Sequence, residues 1–251
     1  MGDSRCDVIS RERFDAVLLD MDGVLTDTAS VHASAWKRMF DEFLRARAAR
    51  SGEAFVPFDI ESDYTRHVEG KPRYDGVRDF LRARGIVLPE GAPDDPPQAE
   101  TVHGLGNRKD QLVNEVIAAE GVRVFPGSVP LLERLRAAGI KTAVVTSSQN
   151  RARVLEAAGL GALFDVAVDG HTLLERGLNG KPAPDMFLEA ARALGVDPAR
   201  AVVVEDAISG VEAGARGGFG LVVGVARKGN AAELASHGAQ HVVADLSELL
   251  D

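Results

Sequence analysis

Short unbroken runs of Val, Leu and Ile recur along this chain at Ala16 to Asp20, Ile140 to Thr146, Asp165 to Asp169, Ala201 to Glu205 and Leu221 to Val225. Most are followed by stretches whose apolar residues repeat every three or four positions. A strand that is apolar on both faces must be covered on both, so the alternation predicts an α/β fold, a parallel sheet packed with helices. Gly139, Gly159 and Gly195 follow the helical patterns Val129 to Ala138, Val154 to Ala158 and Asp185 to Leu194, as expected of helix stops. His241 to Ala244 is expected to add an edge strand.

The interval from Asp20 to Ile140 is far too long for a crossover made of one helix. It reads as helical at Val31 to Arg47, Gly76 to Arg84 and Arg108 to Ala119, with a Pro-rich surface loop from Leu88 to Gln98. The expected organisation is a flexible extension over residues 1–13, a core domain over 14–30 and 122–251, and an inserted helical domain over 31–121.

The formal net charge of −9 argues against non-specific binding to nucleic acid or an acidic membrane, both of which need a positive face. An acidic chain that handles an anionic ligand must gather cations locally to reverse that field. No apolar run approaches the ~18 residues of a membrane span, and residues 1–13 lack a signal-peptide core, so the cytoplasm is the expected compartment. The lone cysteine, Cys6, allows no internal disulfide and no Cys-rich metal site; it reads as an incidental thiol.

The chemistry-bearing residues cluster where the apolar runs stop. The first run ends in Asp20 and Asp22, followed by Gly23, at the carboxyl end of a strand, where open α/β sheets bind ligands. Side chains two apart on extended chain share a direction, so both acids can face one substrate. Taken alone, the pair reads equally as a solvated turn. Thr146, Ser147 and Ser148 place hydroxyls after the second run, suited to phosphoryl oxygens, although a plain Ser/Thr turn has the same composition. Lys181 precedes Pro182 and Pro184, which restrict the backbone at the start of a helix and hold the ammonium as a point charge. Glu205 and Asp206 close the fourth run, and two acids at a buried strand end are costly without a cation.

In this order, Asp20-Met-Asp22-Gly23-Val24, the hydroxyl at Thr146, Lys181-Pro182-Ala183-Pro184-Asp185 and Val204-Glu205-Asp206 resemble the motifs of the haloacid dehalogenase (HAD) superfamily over nearly the whole chain. The resemblance implies a Rossmann-like core with an inserted helical cap of C1 type. It implies that Asp20 is the nucleophile, Asp22 the general acid/base, Thr146 a phosphate hydrogen-bond donor and Lys181 a charge clamp. Asp20, the backbone carbonyl of Asp22, and Asp206, with Glu205 nearby, are then the expected holders of Mg2+. A carboxylate can accept a phosphoryl group as an acyl phosphate, and a hard cation on oxygen ligands relieves the repulsion between the two anions.

The stretch Thr26 to Lys37 resembles the start of the cap in β-phosphoglucomutases, through Thr28, His32, Trp36 and Lys37. By that likeness Thr28 lies in a hinge and His32 couples cap closure to Asp22, whereas Trp36 also suits simple core packing. Glu69 to Arg73 and Asn107 to Asp110 resemble the family's phosphate-gripping segments and imply that Arg73 and Lys109 bind a second phosphate, with Ser147, Ser148 and Asn150 as further substrate contacts. For Arg73 the binding role is preferred over a solvated cap surface. Gln149 stands where relatives often carry a base, Asp110 replaces a usual Asn, and the 88–98 loop enlarges the cap. The resemblance implies first a sugar-phosphate mutase that converts β-glucose 1-phosphate to glucose 6-phosphate through a bisphosphate; a phosphatase of small sugar phosphates is the alternative, and a binding module that has lost turnover the remote one. The expected partner is a small phosphorylated sugar, with no nucleic acid and no membrane. A monomer suffices, and a dimer stays open.

Overall fold

The computed structural model describes residues 8–227 and 229–250. Of the stretch expected to be loose, residues 8–13 fold as a turn in which Ile9 is buried and Arg200 donates to the carbonyls of Arg11 and Glu12; Cys6 lies outside the described residues. Contacts divide the chain into two compact units, one formed by Met1–Asp27 and Val122–Asp251, the other by Thr28–Gly121.

The first unit carries six parallel strands, β1 (Ala16–Leu19), β2 (Lys141–Val145), β3 (Val166–Val168), β4 (Ala201–Glu205), β5 (Leu221–Val225) and β6 (His241–Val243), in the order β3-β2-β1-β4-β5-β6. The α/β expectation and the edge strand are both present. Strand order reverses at β1: the chain first builds outward through β2 and β3, then returns to the other side of β1 to lay down β4. Ligands of open parallel sheets bind outside the carboxyl ends of the strands at such a switch point. Register makes the juxtaposition concrete, because Leu19 pairs with Val144 on one side and Val204 on the other. The residues that follow, Asp20, Val145 and Glu205, therefore emerge side by side, with Thr146 one position beyond Val145.

The helices are α1 (Ala29–Ser51), α2 (Arg73–Ala83) and α3 (Val102–Glu120) in the second unit. In the first they are α4 (Ser128–Ala137), α5 (Arg151–Ala157), α6 (Gly170–Arg176), α7 (Asp185–Leu194), α8 (Ile208–Arg216) and α9 (Ala231–Ser236). Ala16, Leu18, Ala143, Val145 and Val203 form one core cluster with Met186, Phe187, Ala190 and Leu194 of α7. Side chains alternate faces along a strand, so Val17 and Leu19 are left for the opposite layer. Phe187 is fully buried, and truncating such a side chain to alanine costs about 3–5 kcal/mol.

The second unit is built around aromatic rings. Trp36 stacks on Phe40 at 5.3 Å between centroids, and Phe40 meets Phe58 at 5.2 Å and Phe80 at 4.1 Å. Lys37 and Asp41, one turn apart on α1, bind the backbone of Phe58 as donor and acceptor at 2.7 and 2.8 Å and fix the chain that leaves α1. Two features escape the helical pattern of the sequence. Helix α3 begins at Val102 rather than near Arg108, capped by the Thr101 hydroxyl, which accepts from Gly104 N; glycines in its first turns weaken helix propensity and mask the start. Ile60–Val68 forms a wide helical segment in which Tyr64 N and Glu69 N each donate five residues back, and only Tyr64 and Val68 in it are buried. The 88–98 loop is tied down by Asn107, whose amide donates to the carbonyls of Pro93 and Asp95 at 3.0 and 2.9 Å.

Candidate active site

Asp20 follows β1 directly, and its N–H donates to Val204 O at 3.0 Å, so β4 holds the nucleophile candidate's backbone in register. Lys181, in the loop before α7, reaches across the strand ends. Its ammonium lies 2.5 Å from Asp20 Oδ1, 2.5 Å from Glu205 Oε1 and 3.3 Å from Val145 O, which occupies its three donors. Lys181 and Glu205 are 2% and 1% exposed and Asp20 is 7% exposed, so the triad works in a medium where charge is poorly screened.

The electrostatics follow from two acids sharing one buried base. Burial pushes Asp20 up to about 6, against the pull of Lys181 and with a push from Asp22. Burial likewise pushes Glu205 up to about 7, with Lys181 opposing and Asp20 adding to the rise. Burial disfavours the Lys181 cation too, but Asp20 and Glu205 together outweigh it and hold the ammonium above its ordinary value. The cluster is short of positive charge.

Glu205 is fixed at both oxygens. Oε1 meets Lys181, and Oε2 accepts from Asp206 N and Ala207 N at 3.1 and 3.2 Å. That turn needs room: a Cβ on Gly210 would sit 1.9 Å from Glu205 Oε1. On the facing loop Gly23 adopts φ +91°, and a Cβ there would come within 1.9 Å of Asp206 Oδ2, so glycine is required by both conformation and space. Asp20, Glu205 and Asp206 can each bring one carboxylate oxygen within 4.8 Å of the others. This all-oxygen, net-negative donor set fits a hard divalent cation, which would make good the missing charge.

Asp22 and Thr146 meet through a 3.3 Å contact from Thr146 Oγ1 to Asp22 Oδ2, and the same hydroxyl accepts from Ser148 N at 3.1 Å. Thr146 is thus bound to the proposed acid/base. Ser148 Oγ accepts from Asn150 N at 3.1 Å and shapes the turn into α5, while Ser147 Oγ lies 3.9 Å from Met186 Sδ.

Thr28, His32, Arg73 and Lys109 belong to the second unit. Thr28 is buried at the start of α1 and accepts from His32 N. Lys109, itself buried, places Nζ 2.6 Å from His32 Nδ1 and 5.2 Å from the centre of the Trp36 ring. Burial, reinforced by Lys109, holds His32 well below its ordinary value. The imidazole is therefore neutral, accepts at Nδ1 and carries its proton on Nε2. Arg73 pairs with Asp110 at 2.9 Å and lies over the Tyr74 ring, whose hydroxyl donates to Asn107. Two other bases of the Glu69 to Arg73 and Asn107 to Asp110 segments are engaged elsewhere, Lys71 with Asp79 and Arg108 with Glu42. Trp36 packs in the aromatic core, as its composition suggested.

One residue near the site escaped the sequence reading. Arg227 stands two positions beyond the end of β5, and the strand-end criterion that selected Asp20, Thr146 and Glu205 applies to it equally.

Residues 14–218 match the haloacid dehalogenase-like hydrolase family. Over 242 residues the chain is 54% identical to a β-phosphoglucomutase of Mycobacterium bovis, covering 95% of this chain and 92% of that one. It is 29% identical over 215 residues to a phosphorylated carbohydrates phosphatase of Thermotoga maritima, covering 84% and 85%. The fold is that of the crystal structure of β-phosphoglucomutase from Clostridium difficile, with a TM-score of 0.74, 24% identity, and coverage of 94% and 93%. Among the described residues no helix is long and apolar enough to cross a membrane.

Proposed function

The chain belongs to the haloacid dehalogenase-like hydrolase family, and from that premise we propose that it is a Mg2+-dependent β-phosphoglucomutase, converting β-glucose 1-phosphate to glucose 6-phosphate through the 1,6-bisphosphate. The observation that carries the chemistry is the buried Asp20 carboxylate held by Lys181 beside Glu205 and Asp206. The similarity to the mycobacterial mutase over nearly the full length of both chains supports this reaction over simple hydrolysis.

Asp20 attacks the phosphorus and carries the phosphoryl group as an acyl phosphate. Asp20, the Asp22 carbonyl and Asp206 would hold Mg2+, with Glu205 orienting the cluster; bound there, the ion supplies the positive charge that lets a carboxylate meet a phosphate. Lys181 adds a second charge through a fixed ammonium. Asp22 protonates the departing sugar oxygen, then takes the proton from the hydroxyl that attacks phospho-Asp20, a task that needs both of its protonation states. Thr146, bonded to Asp22, orients that carboxyl group. The second unit acts as the cap. Its Arg73 and Lys109 bind the second phosphate of the bisphosphate, Arg73 through a planar fork suited to phosphate oxygens.

The test follows glucose 6-phosphate and free phosphate in parallel, with Mg2+, β-glucose 1-phosphate and a trace of glucose 1,6-bisphosphate. Glucose 6-phosphate with little free phosphate is the expected result, abolished by Asp20→Ala. Free phosphate without isomerisation would instead assign a sugar-phosphate phosphatase, in which water attacks phospho-Asp20. An Asp20→Ala variant that changed neither product would point to a binding module.

A further inference from the structure

Arg227 ties together three loops of the first unit. Its Nε donates to Gly23 O at 3.0 Å and Nη2 to Val24 O at 3.2 Å, both in the loop that follows β1. Nη1 donates to Ala244 O at 3.0 Å and to Asp245 Oδ2 at 2.6 Å, in the loop that follows β6. The guanidinium carbon also lies over the Phe125 ring, 3.6 Å from its centre, and the side chain is 16% exposed.

The clamped loop is the one that bears Asp22. Between Met21 and Thr26 the chain closes on itself: Leu25 N and Thr26 N both donate to Met21 O at 3.0 Å, and Gly23 N donates to Thr26 O at 2.8 Å. A turn so bonded moves as one piece. The carbonyls of Gly23 and Val24 point outward from it, and Arg227 captures both with the two arms of a rigid fork. Phe125, over whose ring Arg227 lies, donates its N–H to Leu25 O at 3.0 Å, so the same arginine braces the turn from a second side.

We propose that Arg227 is a positioning residue for phosphoryl transfer, holding the Met21 to Thr26 turn so that the Asp22 carboxyl group stays aligned with the oxygen it protonates. The inference rests on the acid/base role proposed for Asp22. Arg227 makes and breaks no covalent bond. A lysine could supply the charge but not the paired donors, and an error of about 1 Å in a catalytic group costs about 10²-fold in rate.

The test compares two esters whose turnover does not depend on the identity of the sugar. Phenyl phosphate needs its leaving oxygen protonated, whereas p-nitrophenyl phosphate releases a stable anion and needs this far less. In Arg227→Ala, kcat/KM, which reports the step in which the ester oxygen leaves, is expected to fall about 10²-fold for phenyl phosphate and by less than about tenfold for p-nitrophenyl phosphate, with partial recovery in added guanidinium. Equal losses on both esters, or no loss, would overturn the inference, since a merely structural clamp would not distinguish leaving groups. Should Arg227→Ala fail to fold, Arg227→Lys is read in its place: a smaller loss with the same bias supports the inference and an unbiased loss overturns it. Wild-type protein inert on both esters would remove the phosphotransfer reading and this inference together. Wild-type protein that hydrolyses both but forms no glucose 6-phosphate would remove only the mutase assignment.

Discussion

Lys181 Nζ lies 2.5 Å from Glu205 Oε1, with each residue no more than 2% exposed, and the same ammonium lies 2.5 Å from Asp20. One buried cation therefore serves two buried carboxylates, an arrangement in which removing the lysine leaves both acids uncompensated and out of reach of water. Several consequences are measurable.

Lys181→Met should abolish turnover and lower stability by about 3–5 kcal/mol at pH 7.5, because Asp20 and Glu205 stay buried without their partner. The loss should shrink at pH 5, where the folded protein can keep both acids protonated. Urea unfolding at the two pH values measures it; an equal loss at both would contradict the shared-cation account.

Metal and pH should act together on stability. Asp20 and Glu205 are raised to about 6 and about 7, above their ordinary values of 3.8 and 4.5, so between roughly pH 4 and 7 the folded state holds protons that the unfolded state has released. Their contribution thus falls as pH rises through that window in metal-free protein. Mg2+ competes with those protons, so saturating Mg2+ should raise the thermal midpoint more at pH 7.5 than at pH 5.5. A Mg2+ shift independent of pH in differential scanning calorimetry would argue against the acidic cluster as the metal site.

Gly23→Ala should disturb metal binding more than folding. The new Cβ would fall 1.9 Å from Asp206 Oδ2 at φ +91°, forcing the loop or the carboxylate aside. A backbone penalty of about 1–2 kcal/mol is expected from the conformation alone. Titration calorimetry should show Mg2+ affinity reduced by about tenfold or more, as for the loss of a charged contact; unchanged affinity would mean that Asp206 is not a ligand.

Arg73 and Asp110, paired at 2.9 Å, should have opposite effects on the bisphosphate. Losing a hydrogen bond to a charged group costs about 1.5–3 kcal/mol, so Arg73→Ala should lower kcat/KM for mutase turnover by about 10- to 100-fold while sparing p-nitrophenyl phosphate hydrolysis. Asp110→Asn releases Arg73 from a competing carboxylate and should lower KM for the bisphosphate about threefold or more. Parallel losses in both variants, by steady-state kinetics, would refute a phosphate-gripping role for Arg73.

Much was legible in the chain itself. The Val-rich runs were readable as strands because a strand buried on both faces has no polar side to interrupt it. The acids and lysine stood out because polar groups abutting such runs are costly without a partner. Segments such as Ile60–Val68 and the first turns of α3 were not, since a mostly polar stretch and a Gly-rich start carry little periodic signal.

What the sequence by itself determined is local: where the backbone is extended or helical, where each strand stops, and which chemical groups stand at those stops, because burial periodicity and chain-breaking residues are written into neighbouring positions. Only the tertiary structure decided that β4 returns beside β1, bringing Glu205 and Asp206 to Asp20. It alone decided that Lys181 spans the two acids, that burial raises them, and that Arg227 braces the turn of Asp22. The reason is physical: strand order is settled by how helices pack across the whole sheet, and a side chain's charge and partners are settled by what that packing places around it.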